Sequence, residues 1–368
     1  MTIEKLILTA GPSITEKEIN YVTDAVTYGW NDNWNSYLNR FQDAFLKYLN
    51  VSHATTTSSC TGALHLGLLA CGIGKGDEVI VPEITWVATA SAVAYTGATP
   101  VFCDIEEGSW CLNIQSAENL ISSKTKAIIP VHLYGHPANM PEIMLLAEKN
   151  GLYVIEDAAP SIGSEIAGQK TGSFGHISGF SFQGAKILVT GEGGMLVSND
   201  EDIFNKAKFL GDHGRDPSNP LAAIEVGYKY KMSNIQAALG LAQIERVDEL
   251  VARKRQINTC YRDNLDSLDG VNVSCELPNC KSNNWMTSIE IIDTDNDKRD
   301  KIMKSLKDYN VDSRPVFSPM SSLPMFSRKE ENPVAYRIGK SAINIPSGHN
   351  LTQDQIDHVC EVLIQILE

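Results

Sequence analysis

The sequence has no CxxC pair, no HExxH motif and no apolar run of the roughly 20 residues that a membrane span needs. Its 8 cysteines are scattered singly between Cys60 and Cys360. A chain of this size needs no disulfide staples, so they read as reduced thiols. With no metal-ligand spacing, no metal site is expected. The first residues, Met1-Thr2-Ile3-Glu4-Lys5, lack the basic and long apolar regions of a secretory leader. Together these absences lead us to expect a cytoplasmic protein, not attached to membranes. Positive charge is also scarce: 31 Lys and Arg stand against 45 Asp and Glu, a formal net charge of −14. A nucleic-acid footprint needs the opposite sign. One pocket can still gather cations and backbone N–H groups around a phosphate-rich small molecule. There is no internal repeat and no low-complexity segment.

What is present is ordinary globular composition, 43% hydrophobic and 21% charged over 368 residues. That length allows a large core and a smaller second domain. From residue 53 to 200, short apolar runs alternate with helical stretches. His53 to Thr57, Glu78 to Pro82, Thr99 to Asp104, Ala127 to Leu133 and Tyr153 to Ile155 read as strands. Thr61 to Cys71 and Trp86 to Thr96 read as helices. Such βα alternation predicts an α/β fold with a mostly parallel sheet. Ligands of these sheets gather at the carboxyl ends of the strands. Two amphipathic helices, Lys17 to Tyr28 and Leu38 to Leu49, precede this core. Ser233 is placed to cap one long helix running to about Leu265. Residues 284 to 292 and 313 to 318 resemble strands, and Thr352 to Leu367 a final helix. We therefore expect a large domain, residues 1–240, and a linking helix with a small C-terminal domain, residues 241–368.

The residues with chemistry lie just after these strands. Tyr153-Val154-Ile155-Glu156 delivers Asp157, and Gly179-Phe180-Ser181 delivers a polar turn ending in Lys186. The glycine-rich stretch Thr190 to Met195 follows. An acid and a lysine at strand ends suit pyridoxal 5'-phosphate (PLP), whose aldehyde condenses with a lysine amine. Its pyridine nitrogen is kept protonated by a buried carboxylate. Its phosphate is held by hydroxyls and N–H groups at a helix start, and its ring by a flat apolar neighbour. The candidates are Lys186 as anchor and Asp157 as pyridine partner. Ser59, Cys60 and Thr61, with Ser181, would take the phosphate, and Trp86 the ring. Alone, each has a bland reading: a turn aspartate, a helix cap, a surface lysine, a core tryptophan. All of them in order, at the ends of one sheet, favour the cofactor.

Taken together, GDEVIVP (Gly76–Pro82), GATPVF (Gly97–Phe102), TKAIIPVHLYGHPANM (Thr125–Met140), VIEDAA (Val154–Ala159), SFQGAK (Ser181–Lys186), TGEGGM (Thr190–Met195) and SRPVF (Ser313–Phe317) resemble the DegT-type sugar aminotransferases nearly end to end. The resemblance implies fold-type I PLP-dependent transferase architecture with a seven-stranded sheet, and the roles just assigned. It implies a cofactor that alternates with pyridoxamine phosphate, L-glutamate as donor and a nucleotide-linked keto sugar as acceptor. It also implies a homodimer with shared active sites, in which residues 227 to 234 reach the neighbouring phosphate through Lys229, Lys231 or Asn234. The pattern is closest to nucleotide-sugar 4-aminotransferases acting on 4-keto-6-deoxy sugars for surface polysaccharide such as O-antigen.

Several positions depart from that pattern. Lys229 stands where many members have Asn, Pro160 where many have Glu or Gln, and Ser321 where the 4-aminotransferase branch tends to have His. Arg314 can pair with a diphosphate or sit in a surface ion pair. Trp30 and Trp34 can line the sugar or simply pack. These residues, with Ser321, are the substrate-binding candidates. Three readings compete with 4-amination: a 3-aminotransferase, a PLP-dependent sugar dehydratase and a non-enzymatic sensor. In the dehydratase branch histidine replaces the anchoring lysine, and position 186 is lysine.

Overall fold

The computed structural model describes residues 5–326 and 332–367. Residues 1–4, which entered the expectation of no leader, lie outside it. The central sheet has seven strands: β1 (His53–Thr57), β2 (Glu78–Pro82), β3 (Thr99–Cys103), β4 (Thr125–Ile128), β5 (Tyr153–Asp157), β6 (Ile177–Ser181) and β7 (Gly194–Ser198). Their spatial order is β1-β7-β6-β5-β4-β2-β3. The block from β3 to β6 is parallel throughout, whereas β7 runs antiparallel to both β1 and β6. Strands buried on both faces need near-continuous apolar runs, and Val79, Ile80 and Val81 are fully buried.

Four helices of the first hundred residues cover this sheet: α1 (Glu16–Tyr28), α2 (Ser36–Leu49), α3 (Cys60–Ala70) and α4 (Ala88–Tyr95). Leu64, Leu66 and Leu68 of α3 are buried, and Gly67 lets α3 approach the sheet, since a Cβ there would lie 2.9 Å from Ile177 Cγ2. Because β2, β4, β5 and β6 are parallel, their carboxyl ends open on one edge. Trp86, His132, Asp157 and Ser181 all emerge there.

The expected single helix from Ser233 to Leu265 is two. Ser233 does cap α5 (Asn234–Ile244), in a reciprocal capping box with Gln236. The chain then leaves helical geometry at Arg246 (φ −120°, ψ 9°) and resumes as α6 (Val247–Leu265). The break sits on a buried acid of α1. Glu18 accepts hydrogen bonds from Gln243 Nε2 at 2.7 Å, Arg246 Nη1 at 2.8 Å and Thr15 N at 2.7 Å. Burial alone raises the Glu18 carboxyl, but the bonds from Thr15, Arg246 and Gln243 overcome it and bring it down to about 2. A lowered folded-state value means the bonds stabilise the fold above the unfolded value. That contribution is lost as pH falls from the ordinary 4.5 towards about 2. Glu18→Gln should remove about 2 kcal/mol at neutral pH, as expected for hydrogen bonds to a charged group, and flatten the acid limb of a pH–Tm series over that interval.

A second sheet is built from β8 (Val271–Val273), β9 (Thr287–Ile291), β10 (Arg314–Pro315) and β11 (Ala342–Ile345), in the order β8-β9-β11-β10. Both strands expected here are shorter than the sequence suggests. Residues before Thr287 form a turn, with Asn284 at φ 50° and Trp285 N bound to Asn283 Oδ1 at 2.9 Å. Helix α6 and the C-terminal helix α7 (Gln353–Leu367) cover this sheet through Ile257, Tyr261, Val359 and Leu363. Among the described residues no helix is long and apolar enough to cross a membrane.

Candidate active site

A cavity of about 530 Å³ opens at the carboxyl edge of the seven-stranded sheet. One wall is the start of α3. Ser59 caps it, its Oγ accepting Gly62 N at 3.1 Å, and Cys60 and Thr61 contribute the first N–H groups of the helix. Such a terminus favours an anion. The close approach of β7 fixes this turn: a Cβ on Gly194 would lie 2.6 Å from Ser59 C and 2.7 Å from Cys60 N. Ser181, at the end of β6, lines the same cavity.

Asp157 closes β5 and is buried. Its Oδ2 accepts Thr89 Oγ1 at 2.7 Å, and its Oδ1 accepts Ala159 N at 3.1 Å. Burial raises its pKa, while Thr89, Ala159 N and the Lys186 charge oppose the rise. The preceding Glu156 is turned to the other face of the strand. There it accepts His132 Nε2 at 3.0 Å and the N–H groups of Gly172, Phe174 and Gly175, each at 2.7 Å. His132 Nδ1 in turn accepts Ala138 N at 3.0 Å, which places its proton on Nε2. Burial would raise Glu156, but His132 and the backbone donors hold it below the usual carboxylate range. This network fixes the strand end that presents Asp157.

Lys186 lies half-buried across the cavity. Burial lowers its amine to about 8, against the opposing pull of Asp157 and Cys60. Its Nζ rests 3.5 Å from the centre of the Trp285 ring. Trp86, 62% exposed, stands at the mouth with its ring 5.7 Å from that of Phe317.

The cavity thus brings together Ser59, Cys60, Thr61, Trp86, Asp157, Ser181, Lys186 and Arg314. Arg314 is largely exposed and pairs with Asp312 at 3.4 Å. Four candidates lie elsewhere in the single chain, among them Trp34, exposed with Lys231 Nζ 5.6 Å from its ring centre. Trp30 is exposed on the loop after α1, its Nε1 donating to Val26 O at 2.7 Å. Ser321 is buried outside the cavity, with its Oγ 2.9 Å from Tyr336 Oη and its N–H on Glu83 Oε1 at 2.7 Å. Lys229 is exposed on the strand bridge to Asp212. Of its two alternatives, Lys231 pairs with Asp212 at 3.1 Å. Asn234 is engaged within the chain, accepting Tyr37 N at 2.9 Å and donating to Gly29 O at 3.4 Å.

Sequence reasoning missed Thr89, Tyr134, Glu192 and Trp285, all of which border the cavity or bind Asp157. Thr89 sits one helical turn after Thr85, a spacing that could have linked it to the strand end. No local spacing ties Trp285 to Lys186.

The residues fit PLP: a carboxylate for the pyridine nitrogen, an N-terminal helix turn for the phosphate, a flat ring and an amine of lowered basicity. Comparison with known proteins agrees. The model of the DegT/DnrJ/EryC1/StrS aminotransferase family matches residues 12–364. The GDP-perosamine synthase of Escherichia coli O157:H7 is 41% identical over 351 residues, 95% of each chain. That of Caulobacter vibrioides is 39% identical over 98% of each chain. Among solved structures, Spr1654 of Streptococcus pneumoniae in its PLP form superposes with a TM-score of 0.91 at 25% identity, covering 98% of each chain. The chain belongs to the DegT/DnrJ/EryC1/StrS aminotransferase family and is a PLP-dependent enzyme.

Proposed function

We propose that this aminotransferase moves an amino group from L-glutamate to C4 of a GDP-linked 4-keto-6-deoxyhexose, making a 4-amino sugar for a surface polysaccharide such as O-antigen. The observation that carries this reading is the near full-length identity, 41% and 39%, to two GDP-perosamine synthases. When bound, the cofactor supplies an aldehyde that takes up the amine and a ring that withdraws electrons. The chain does the rest. Asp157 holds negative charge beside the pyridine nitrogen. Cys60 N, Thr61 N and the Ser59 and Ser181 hydroxyls receive the phosphate, and Trp86 covers the ring. Lys186, with its amine lowered to about 8, can accept and release a proton near neutral pH. Arg314, which lines the cavity and pairs with Asp312, exchanges that partner for the diphosphate.

The test is to incubate the enzyme and glutamate with GDP- and UDP-linked 4-keto and 3-keto sugars and solve the product by NMR. We expect an amine at C4 of the GDP-linked sugar. Amination at C3, or of small keto acids only, would overturn the substrate assignment. A preference for a UDP-linked N-acetylated 4-keto sugar would trace to departures such as Ser321 in place of histidine.

The same reading includes a cytoplasmic homodimer with shared sites, and a chain divided into a cofactor-binding part, residues 1–240, and a smaller part, residues 241–368. Lys229 reaches the neighbour's phosphate, and Trp30 serves the sugar side of the assembled site. Trp30 and Lys229 are exposed in the single chain, which leaves them available to a second subunit. An inactive Lys186→Ala subunit mixed with a Lys229→Glu subunit should recover activity, since one site of the heterodimer regains both contributions. No recovery despite proven subunit exchange would count against sharing.

A further inference from the structure

The cavity contains an aromatic wall of which the assigned roles use only Trp86. Trp285 stacks on Tyr134 with ring centres 6.0 Å apart, Tyr134 on Phe317 at 5.3 Å, and Phe317 meets Trp86 at 5.7 Å. The wall begins at Lys186, whose Nζ lies 3.5 Å above the Trp285 ring centre. Trp285 is held from three sides. Its Nε1 donates to Ala185 O at 2.7 Å, next to the lysine itself. Its N–H is bound by Asn283 Oδ1. Its carbonyl accepts Lys254 Nζ at 3.0 Å. Lys254 is a buried α6 lysine that also donates to Ser347 O, and both its acceptors are main-chain carbonyls. A tryptophan so fixed is a platform for a cation, because the ring face carries negative quadrupole density.

We propose that Trp285 is a further catalytic residue, a resting face that holds the Lys186 ammonium whenever the lysine is not joined to the cofactor, and that Lys254 is its positioning residue. The free amine is the state Lys186 has while the cofactor carries the transferred amino group. The indole then keeps the side chain beside the reaction instead of letting it swing to solvent. It also favours the protonated form against the burial that disfavours it. The other charged or titratable groups around Lys186 include Asp157 from the end of β5 and Cys60 from the start of α3, with Tyr134, Glu192 and Arg314 lining the same cavity.

The inference rests on Lys186 being the cofactor lysine, and the experiment separates the two. Cofactor-free protein is mixed with pyridoxal phosphate, and the rate of visible absorbance gain is followed against pH, with unfolding temperature measured alongside. Trp285→Leu removes the face, so the midpoint of the profile should fall by about one pH unit, a tenfold faster capture on the acid side. Trp285→Phe should restore part of the shift, and Lys254→Met should reproduce part of it. A folded Trp285→Leu protein with an unmoved midpoint overturns the inference while leaving Lys186 as anchor. Unaltered capture by Lys186→Ala overturns the anchor itself. If Trp285→Leu fails to fold, fluorinated tryptophan in a Trp86→Phe background weakens the ring face at nearly constant volume. The midpoint must then still fall, and an unchanged one rejects the proposal.

Discussion

Lys186→Ala is expected to fold, to bind pyridoxal phosphate only reversibly, and to lose transamination by at least about ten-thousandfold. The lysine is half-buried beside a cavity of about 530 Å³ with its Nζ on the Trp285 ring, so truncation leaves the sheet intact. The loss comes from two sources. The covalent hold on the cofactor disappears, and so does an amine that carries protons at the site, a contribution of about a hundred- to ten-thousandfold by itself. The readouts are the absorbance of the lysine-bound cofactor and product formation under saturating glutamate. A variant that turns over at the normal rate would remove the basis of the site assignment.

Asp157→Asn should cost several powers of ten in rate while preserving shape. The amide keeps its oxygen as acceptor for Ala159 N, and its Nδ2 can donate to the Thr89 hydroxyl, but it has no charge to hold a proton on the pyridine nitrogen. Charge-for-amide changes at catalytic partners have effects of about ten-thousandfold. A variant within about threefold of the parent contradicts the electrostatic role. The stability effect has the opposite sign. The folded-state pKa of Asp157 is raised, chiefly by burial. Its contribution to stability is therefore present at acid pH and lost as pH rises through that value. Replacing the acid by its neutral amide removes the cost of burying a charge, so cofactor-free Asp157→Asn should unfold at the same temperature as the parent or higher. Impaired activity with unimpaired stability is the signature that separates a functional from a structural aspartate.

Much of this was legible because strand ends are local features. The apolar run before Asp157, the turn to Lys186 and the Ser-Ser-Cys-Thr helix start each carry their signal within a few residues, and parallel topology sends them to one edge. The seven-stranded order was not readable in detail: the antiparallel β7 pairs β1 with β6 across long loops. The break at Arg246 was invisible because it depends on Glu18, more than two hundred residues earlier in the chain, pulling Gln243 and Arg246 towards α1. Trp285 was missed for the same reason. Its address at Lys186 is set by a turn, by a hydrogen bond to Ala185 O and by Lys254 from α6, none of which leaves a short motif. Ser321 shows the converse. Family pattern pointed to the substrate, yet in the single chain its hydroxyl faces Tyr336 and its N–H is held by the buried Glu83.

The central claim is that Lys186 holds PLP and yields it to an amino donor. The direct measurement is borohydride reduction of the cofactor-loaded protein, with and without prior L-glutamate, followed by mass analysis of the peptides. The account requires the cofactor mass on the peptide containing Lys186 in the untreated sample. It also requires near-complete loss of that label after glutamate, with 2-oxoglutarate released in matching amount. A label on any other lysine, or a Lys186 label that glutamate leaves unchanged, would contradict it.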